Sequence, residues 1–349
     1  MSKSLHSLLT ALVPRSFASR LIGVSALVCG LWIGFAQKPH AAPAADTQPQ
    51  SQTPSVKPEL PKPIITRDAK GWVTIAPVPG AVVYYSINEY NPPNKWAGVY
   101  VKPFYLPYQA TVSAIAMAES PVVAAPFEAI GNVPTPPNSE IPITQNRNHS
   151  MYDWQERHNS IVKQVREQKP ALILIGDSIT HLMPKTVWDK YYAPLNAVNM
   201  GFGFDMTQNV LWRLQNGELD GYKPKVAVVM IGTNNLEGST PETLAGGVRA
   251  VCREIHKRTP MTKILLLGIF PRGEKPDDYL RPKIEEANKI LAKLHGQDQI
   301  TYLDLSKKFL NPDGTISRDM MGDFLHPSLK GHEIWAEAMA PVLKTMLAE

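Results

Sequence analysis

Residues 151–349 are predicted to form an α/β domain, a five-stranded parallel sheet in a three-layer sandwich, preceded by a small all-β sandwich. Three observations predict this. Beyond residue 150, five short apolar runs alternate with helical patterns. Over 61–130, apolar and polar residues alternate between turn signals. Proline-rich stretches separate the parts, and 32 prolines are too many for one compact domain. The 349 residues allow two or three domains at about 100–200 residues each. A hydrophobic content of 44% with 19% charged residues excludes a wholly disordered chain.

The N-terminal segment, 1–42, reads as a signal peptide or an N-terminal anchor. Residues 1–20 are basic and Ser-rich, and 21–36 (LIGVSALVCGLWIGFA) are apolar and uncharged. That is a positive n-region followed by an h-region, with small-residue cleavage options at Ala42-Pro43-Ala44. The expectation is export to a periplasmic or extracellular location; if the leader is kept, it would tether the chain to the inner membrane, the sole membrane contact expected. The net charge of +5 comes largely from this segment, since Lys3, Arg15, Arg20 and Lys38 face no acid there and leave +1 for the rest. Without a clustered basic face, no nucleic-acid partner is expected. Val28 before Cys29 argues against lipidation, and Cys252, in a helical pattern, reads as a small core residue. Residues 43–60, rich in Pro, Ala, Gln, Ser and Thr, cannot bury enough apolar surface to offset chain entropy and read as a disordered linker.

Over 61–130, Trp72–Ile75, Ala81–Ser86 and Thr111–Ala116 read as strands, with turn signals at Pro79-Gly80 and Asn91-Pro92-Pro93-Asn94. Short strands at this spacing suggest a β-sandwich. The order of Pro79-Gly80-Ala81 with Tyr84-Tyr85-Ser86, then Tyr100 with Pro103-Phe104 and Leu106-Pro107, then Thr111-Val112 resembles the small immunoglobulin-like module appended to chitobiases and other glycan-active enzymes. Tyr90, Trp96, Tyr100, Tyr105 and Tyr108 would either stack on sugars or fill the sandwich core and its interface, the second being the plainer reading. Residues 131–150, polar and proline-containing, read as a second linker.

In 151–349 the strand candidates are 171–175, 197–200, 225–231, 263–270 and 300–305, apolar as expected of strands buried on both faces. Asp205 with Gln208 forms a capping-box signal, Thr240-Pro241 a helix start, and 329–347 the last helix. Sites in such folds lie at the carboxyl ends of the strands, and four polar constellations fall there: Gly176-Asp177-Ser178, Asn199–Asp205, Gly232-Thr233-Asn234-Asn235 and Asp323–His326. Ser178, at a strand-to-helix turn, is a weak nucleophile that needs a base. His326 is the candidate base, and Asp323 stands where it can fix the imidazole tautomer. The Ser178 N–H, a backbone N–H of the 201–204 turn and the Asn234 amide are candidate oxyanion donors.

These blocks resemble the SGNH (GDSL-type) hydrolases, and more closely the catalytic subunits of platelet-activating-factor acetylhydrolase and their bacterial relatives. The similarity extends through Thr207–Leu214, Asn216–Leu219 and Pro271–Pro276. It implies a flavodoxin-like sandwich, Ser178 as nucleophile, Asp323 and His326 as its partners, and Asn234 in the oxyanion hole. Where the family usually has glycine before the aspartate of the second block, this chain has Phe204, with Gly203 as the neighbouring donor. A glycine requirement at positive φ would make Phe204 costly. The resemblance further implies a small acyl pocket lined by Ile179 and Leu325, and a homodimer. No metal is expected, since no His-Glu-x-x-His or Cys/His cluster occurs, and no nucleotide cofactor, since Gly201-x-Gly203 lacks a third glycine. His181, three residues after Ser178, would either sit near the site or lie at the surface, the second being the plainer reading, and His332 reads as lying on a helix face. The sequence reading is an exported serine esterase acting on short-chain, chiefly acetyl, O-esters, with an O-acetylated glycan as the expected partner. The rivals are a lipid esterase, lysophospholipase or thioesterase, and a noncatalytic glycan-binding protein that kept the fold.

Overall fold

The computed structural model describes residues 60–88, 97–118, 122–123, 127–129, 135–145 and 152–348. The expected leader, most of the first linker, and Tyr90 and Trp96 lie outside the described residues. All described residues belong to one compact unit, Lys57–Glu349.

Its first part is all antiparallel. Strands β1 (Ile65–Arg67), β2 (Trp72–Ile75) and β5 (Phe104–Tyr105) form one sheet, in the order β1-β2-β5. Strands β3 (Val82–Ile87), β4 (Gly98–Val99), β6 (Ala110–Met117), β7 (Val122–Val123) and β8 (Phe127–Ala129) form a second, ordered β4-β3-β6-β7 with β8 also on β6. Val73 and Ile75 of β2, Val83, Tyr85 and Ile87 of β3, and Val112 and Ala114 of β6 share one core. The strand alternation therefore points one face of each sheet into a common interior. Tyr100 and Phe104 pack against this core and Tyr108 is buried in it, as the plainer reading expects. Tyr105 departs from that reading, being 55% exposed.

The second part is a parallel sheet of β9 (Leu172–Gly176), β10 (Ala197–Gly201), β11 (Val226–Met230), β12 (Lys263–Leu267) and β13 (Ile300–Leu303), ordered β10-β9-β11-β12-β13. The order reverses at β9, the switch point where ligands bind in this doubly wound topology. Helices α1 (Trp154–Gln168), α4 (Thr207–Arg213), α5 (Pro241–Arg258) and α6 (Arg281–Ala292) cover one face, and α2 (Ser178–His181), α3 (Lys185–Tyr191) and α7 (Leu329–Ala348) the other. Ile173, Ile175, Ala227, Val229, Ile264 and Leu266 feed one core, while Leu172, Leu174, Val226, Val228, Leu265 and Leu267 feed the other. Burial on both faces is why each strand reads as an unbroken apolar run.

Three expectations change in detail. The run 263–270 stops pairing at Leu267, because the Ile269 N–H donates to Asn288 Oδ1 instead (2.8 Å). Asp205 does not cap α4: the cap is Met206, whose N–H donates to Asn209 Oδ1 (2.9 Å), because the Asp205 carboxylate is turned inward. Within the expected second linker, 135–145 is a packed strap. Ile141 and Ile143 join the sandwich core, and Thr144 Oγ1 donates to the Val99 carbonyl (2.6 Å). On its other side, Ile143 N–H donates to Gln208 O (3.2 Å), and Asn209 Nδ2 and Thr207 Oγ1 donate to the Ile143 and Ser139 carbonyls (3.1 and 2.7 Å). Two isoleucines supply apolar area that the polar composition of 131–150 conceals. Cys252 is buried as expected, and burial pushes its thiol up to about 12.

Candidate active site

The site grows from the carboxyl end of β9. Gly176 closes the strand, and a Cβ there would fall 2.2 Å from Thr180 Oγ1 and 2.7 Å from the Met230 carbonyl. Glycine thus lets the chain turn at once into α2 against β11. Asp177 caps α2 by accepting the Ile179 N–H (2.9 Å), and its burial pushes the carboxyl up to about 7 against that bond. Ser178 opens the helix half-buried. His332 of α7 is 1% exposed, with Nε2 3.2 Å from the Ile179 carbonyl and Nδ1 3.0 Å from Ser328 O. It ties α7 to the helix that carries Ser178; burial depresses its pKa.

Across the site, Ser178 Oγ lies 2.8 Å from His326 Nε2, and His326 Nδ1 lies 2.6 Å from Asp323 Oδ2. The other Asp323 oxygen accepts the N–H groups of Leu325 and His326 (3.1 and 2.8 Å). Partial burial opposes the Asp323 charge, but hydrogen bonds from the imidazole and the two N–H groups outweigh it and hold the carboxyl below the ordinary carboxylate range. Phe324, directly after Asp323, has φ +60°, and its carbonyl accepts the Gly273 N–H (2.9 Å), which anchors the loop to the β12 side. The serine, histidine and aspartate predicted from sequence are therefore brought into one hydrogen-bonded line.

The turn after β10 forms the opposite wall. Gly201 has no room for a side chain, since a Cβ would lie 2.3 Å from the His181 backbone nitrogen. Gly203 donates its N–H to His181 Nδ1 (3.2 Å), and its carbonyl accepts Tyr152 Oη (2.7 Å) and Gln145 Nε2 (3.3 Å). Phe204 sits at φ +64°, so the left-handed conformation anticipated at this position is present without glycine. Asn234 comes from the turn after β11 and donates through Nδ2 to the Asp205 carbonyl (2.9 Å). A side-chain amide carries two N–H hydrogens, so one remains beyond that bond.

Beneath this wall lies a buried ionic cluster. Asp205 accepts Trp154 Nε1 (2.8 Å), Gln145 Nε2 (2.6 Å) and Arg213 Nε (2.7 Å). Arg213 is fully buried, pairs also with Glu218, and lies over the Phe202 ring at 3.9 Å. His158 Nδ1 is 3.1 Å from Glu218. Burial pushes the Asp205 carboxyl up to about 6, with the Arg213 guanidinium opposing the rise.

The two acyl-pocket candidates separate. Ile179 is 2% exposed inside the apolar core, whereas Leu325 and Phe324 are half-buried on that core's edge beside His326. His181 is not a surface residue. It is half-buried beside Gly203, its ring edge-on to Tyr152 (centroids 4.9 Å apart), and burial with the Arg157 and Arg213 charges lowers its pKa to about 4. Sequence reasoning missed Tyr152 and Gln145, and for His181 it favoured the surface over the site. The one usable signal was that His181 lies a helical turn after Ser178; Gln145 belongs to no motif.

The profile of the GDSL-like Lipase/Acylhydrolase family matches residues 174–334. The platelet-activating factor acetylhydrolase IB subunit alpha1 of Homo sapiens is 38% identical over 198 residues, covering 56% of this chain and 85% of that protein. The alpha2 subunit of Rattus norvegicus is 40% identical over 198 residues, covering 56% and 86%. A solved GDSL-like lipase from Bacteroides thetaiotaomicron is similar at 14% identity and a TM-score of 0.47, covering 54% of this chain and 97% of that one. With such identity over most of its relatives' length, the chain belongs to the GDSL-like lipase/acylhydrolase family of esterase-type hydrolases.

Proposed function

We propose that this protein is a serine esterase with Ser178 as nucleophile, His326 as base and Asp323 as its orienting partner. The observation that carries the reading is the line Ser178 Oγ–His326 Nε2 and His326 Nδ1–Asp323 at 2.8 and 2.6 Å. Ser178 Oγ attacks the ester carbonyl carbon while its proton passes to His326 Nε2. The tetrahedral oxyanion receives the Ser178 N–H, the Phe204 N–H and the remaining Asn234 amide hydrogen. Phe204 is the backbone donor we favour because it stands where the resembling family has its donating glycine, immediately before Asp205. Collapse breaks the ester C–O bond, and the departing alkoxide takes the proton from His326. Water then gives a proton to His326 and attacks the acyl-enzyme carbonyl; the acyl C–Oγ bond breaks, Ser178 Oγ takes the proton back from His326, and the acid leaves.

The acyl group we propose is short, acetyl above all. Leu325, next to His326 in the chain and half-buried on the edge of the core, supports a small pocket, and the named relatives are acetylhydrolases. An O-acetylated carbohydrate is the acceptor we favour, on the sandwich's resemblance to glycan-enzyme modules. A further support is the exposed pair Trp72 and Tyr105, opposite each other on β2 and β5. They border a 960 Å³ cleft whose far side is built by Trp212, Gln215 and Lys257. The relatives' names favour a second acceptor, a lipid of the platelet-activating-factor type. We propose that residues 1–42 act as an export signal or anchor, so that the enzyme works outside the cytoplasm, and the family resemblance supports a homodimer.

The test is p-nitrophenyl ester hydrolysis from acetyl to octanoyl, beside Ser178→Ala. Acetate-selective turnover, lowered about 10⁴-fold or more in kcat by the substitution, is expected. Absence of turnover on every ester would bring forward the noncatalytic glycan-binding rival.

A further inference from the structure

The Gly203–Phe204 peptide is held through its carbonyl by groups outside the four polar constellations, and the peptide before it is held through its N–H. Its carbonyl oxygen accepts Tyr152 Oη at 2.7 Å and Gln145 Nε2 at 3.3 Å. Gln145 Nε2 also donates to buried Asp205 Oδ1 at 2.6 Å, and Gln145 is 7% exposed. Tyr152 lies so close over the turn that a Cβ on Gly203 would meet its ring at 3.2 Å. On the other side, the Gly203 N–H is fixed by His181 Nδ1.

A trans peptide points its C=O and its N–H in opposite directions. Whatever grips the Gly203 carbonyl therefore aims the Phe204 N–H. The grip matters more here than at a glycine, because Phe204 is held at φ +64°, a region that L side chains adopt at a cost. Rotation of this peptide plane would relieve that cost and swing the N–H away. Two hydrogen bonds to one carbonyl oppose the rotation.

We infer that Gln145 and Tyr152 are positioning residues for the oxyanion site, acting through the Gly203 carbonyl; the inference rests on the proposed role of Ser178 and the Phe204 N–H. Neither residue touches the reacting atoms. Gln145 is delivered by the 135–145 strap, whose Ile141, Ile143 and Thr144 are fastened to the β-sandwich. The sandwich thereby reaches the reaction centre through its own core packing. The part it plays in catalysis is independent of any ligand it binds.

The experiment uses the full chain with p-nitrophenyl acetate, comparing wild type, Tyr152→Phe, Gln145→Leu, the double variant and Ser178→Ala. Each single variant is expected to lower kcat by about 3–10-fold and the double variant by roughly 100-fold, near the loss of a whole oxyanion donor, with KM within twofold. Inactivation by a p-nitrophenyl phosphonate, whose tetrahedral adduct places an oxygen in the same site, should slow in parallel. Tyr152→Phe keeps the ring over Gly203, so its thermal midpoint should stay at the wild-type value and separate positioning from loss of fold. A double variant with wild-type kcat and inactivation rate, while Ser178→Ala is dead, overturns the inference and leaves the esterase reading standing. A rise in KM at constant kcat overturns it too. A wild type without ester turnover overturns the reading beneath it and the inference together.

Discussion

Phe204 shows how much one residue can be asked to do. Its backbone adopts the left-handed conformation at φ +64° with a half-buried aromatic side chain attached. If the conformation is set by the turn rather than by the ring, then Phe204→Gly will be more stable than Phe204→Ala by about 1 kcal/mol, the reverse of the order found at ordinary positions. Urea denaturation of the two variants checks this, and Ala more stable than Gly would place the constraint in the side chain. His181 carries a second residue-level consequence. Burial and two guanidinium charges hold it near 4, below the ordinary value of about 6.5. Between those values the unfolded chain takes up a proton that the folded chain refuses, so folding stability falls as pH drops from about 6.5 to about 4 and then levels off. His181→Gln keeps an acceptor for the Gly203 N–H and removes the titration. Its thermal midpoint should decline less than that of wild type over this window; parallel declines would exclude His181 as the cause.

At the scale of elements, the turn between β10 and α4 is shaped from inside. Asp205 faces Arg213, and Arg213 faces Glu218, with the arginine and both acids at 0% exposure. Charges this deep are favourable only as a set, and removing one leaves its partners unpaired in a medium that solvates them poorly. Arg213→Met should therefore destabilise the fold by about 3–5 kcal/mol in denaturant titration. A loss below 1 kcal/mol would mean the cluster relaxes or is hydrated. The same inward use of Asp205 explains the misplaced cap. A carboxylate that accepts three internal donors, from Gln145, Trp154 and Arg213, has no role left at the end of α4. Capping patterns are local, and three distant donors decided this one.

For the whole molecule, the sandwich and the parallel-sheet part meet along the strap and across a 960 Å³ cleft. Trp72 and Tyr105, 46% and 55% exposed with centroids 5.6 Å apart, stand at its edge. If a sugar polymer lies against them, replacing both by alanine should raise the KM for an acetylated polysaccharide at least about fivefold, since aromatic contacts contribute roughly 1 kcal/mol or more. Turnover of p-nitrophenyl acetate should be unchanged. Equal effects on both substrates would indicate damage to the sandwich, and no effect on either would remove this pair from substrate binding.

Order along the chain was enough to read the α/β class, the five strands and the Ser178, Asp323 and His326 line. Strands buried on both faces must be continuous apolar runs, and polar residues at their carboxyl ends have few structural reasons to gather there. The N-terminal strands at Trp72–Ile75, Val82–Ile87 and Ala110–Met117 were legible by alternation for a similar reason. What only the tertiary structure decided involves partners far apart in sequence. Gln145 and Tyr152 meet the Gly203 carbonyl more than 50 positions away, separations of 58 and 51 residues. His332 reaches the Ile179 carbonyl across 153 residues. Periodicity and motif spacing describe what a segment does with itself; a carbonyl gripped from two other segments leaves no period behind. Packing brought those groups together, and with them the geometry of the site.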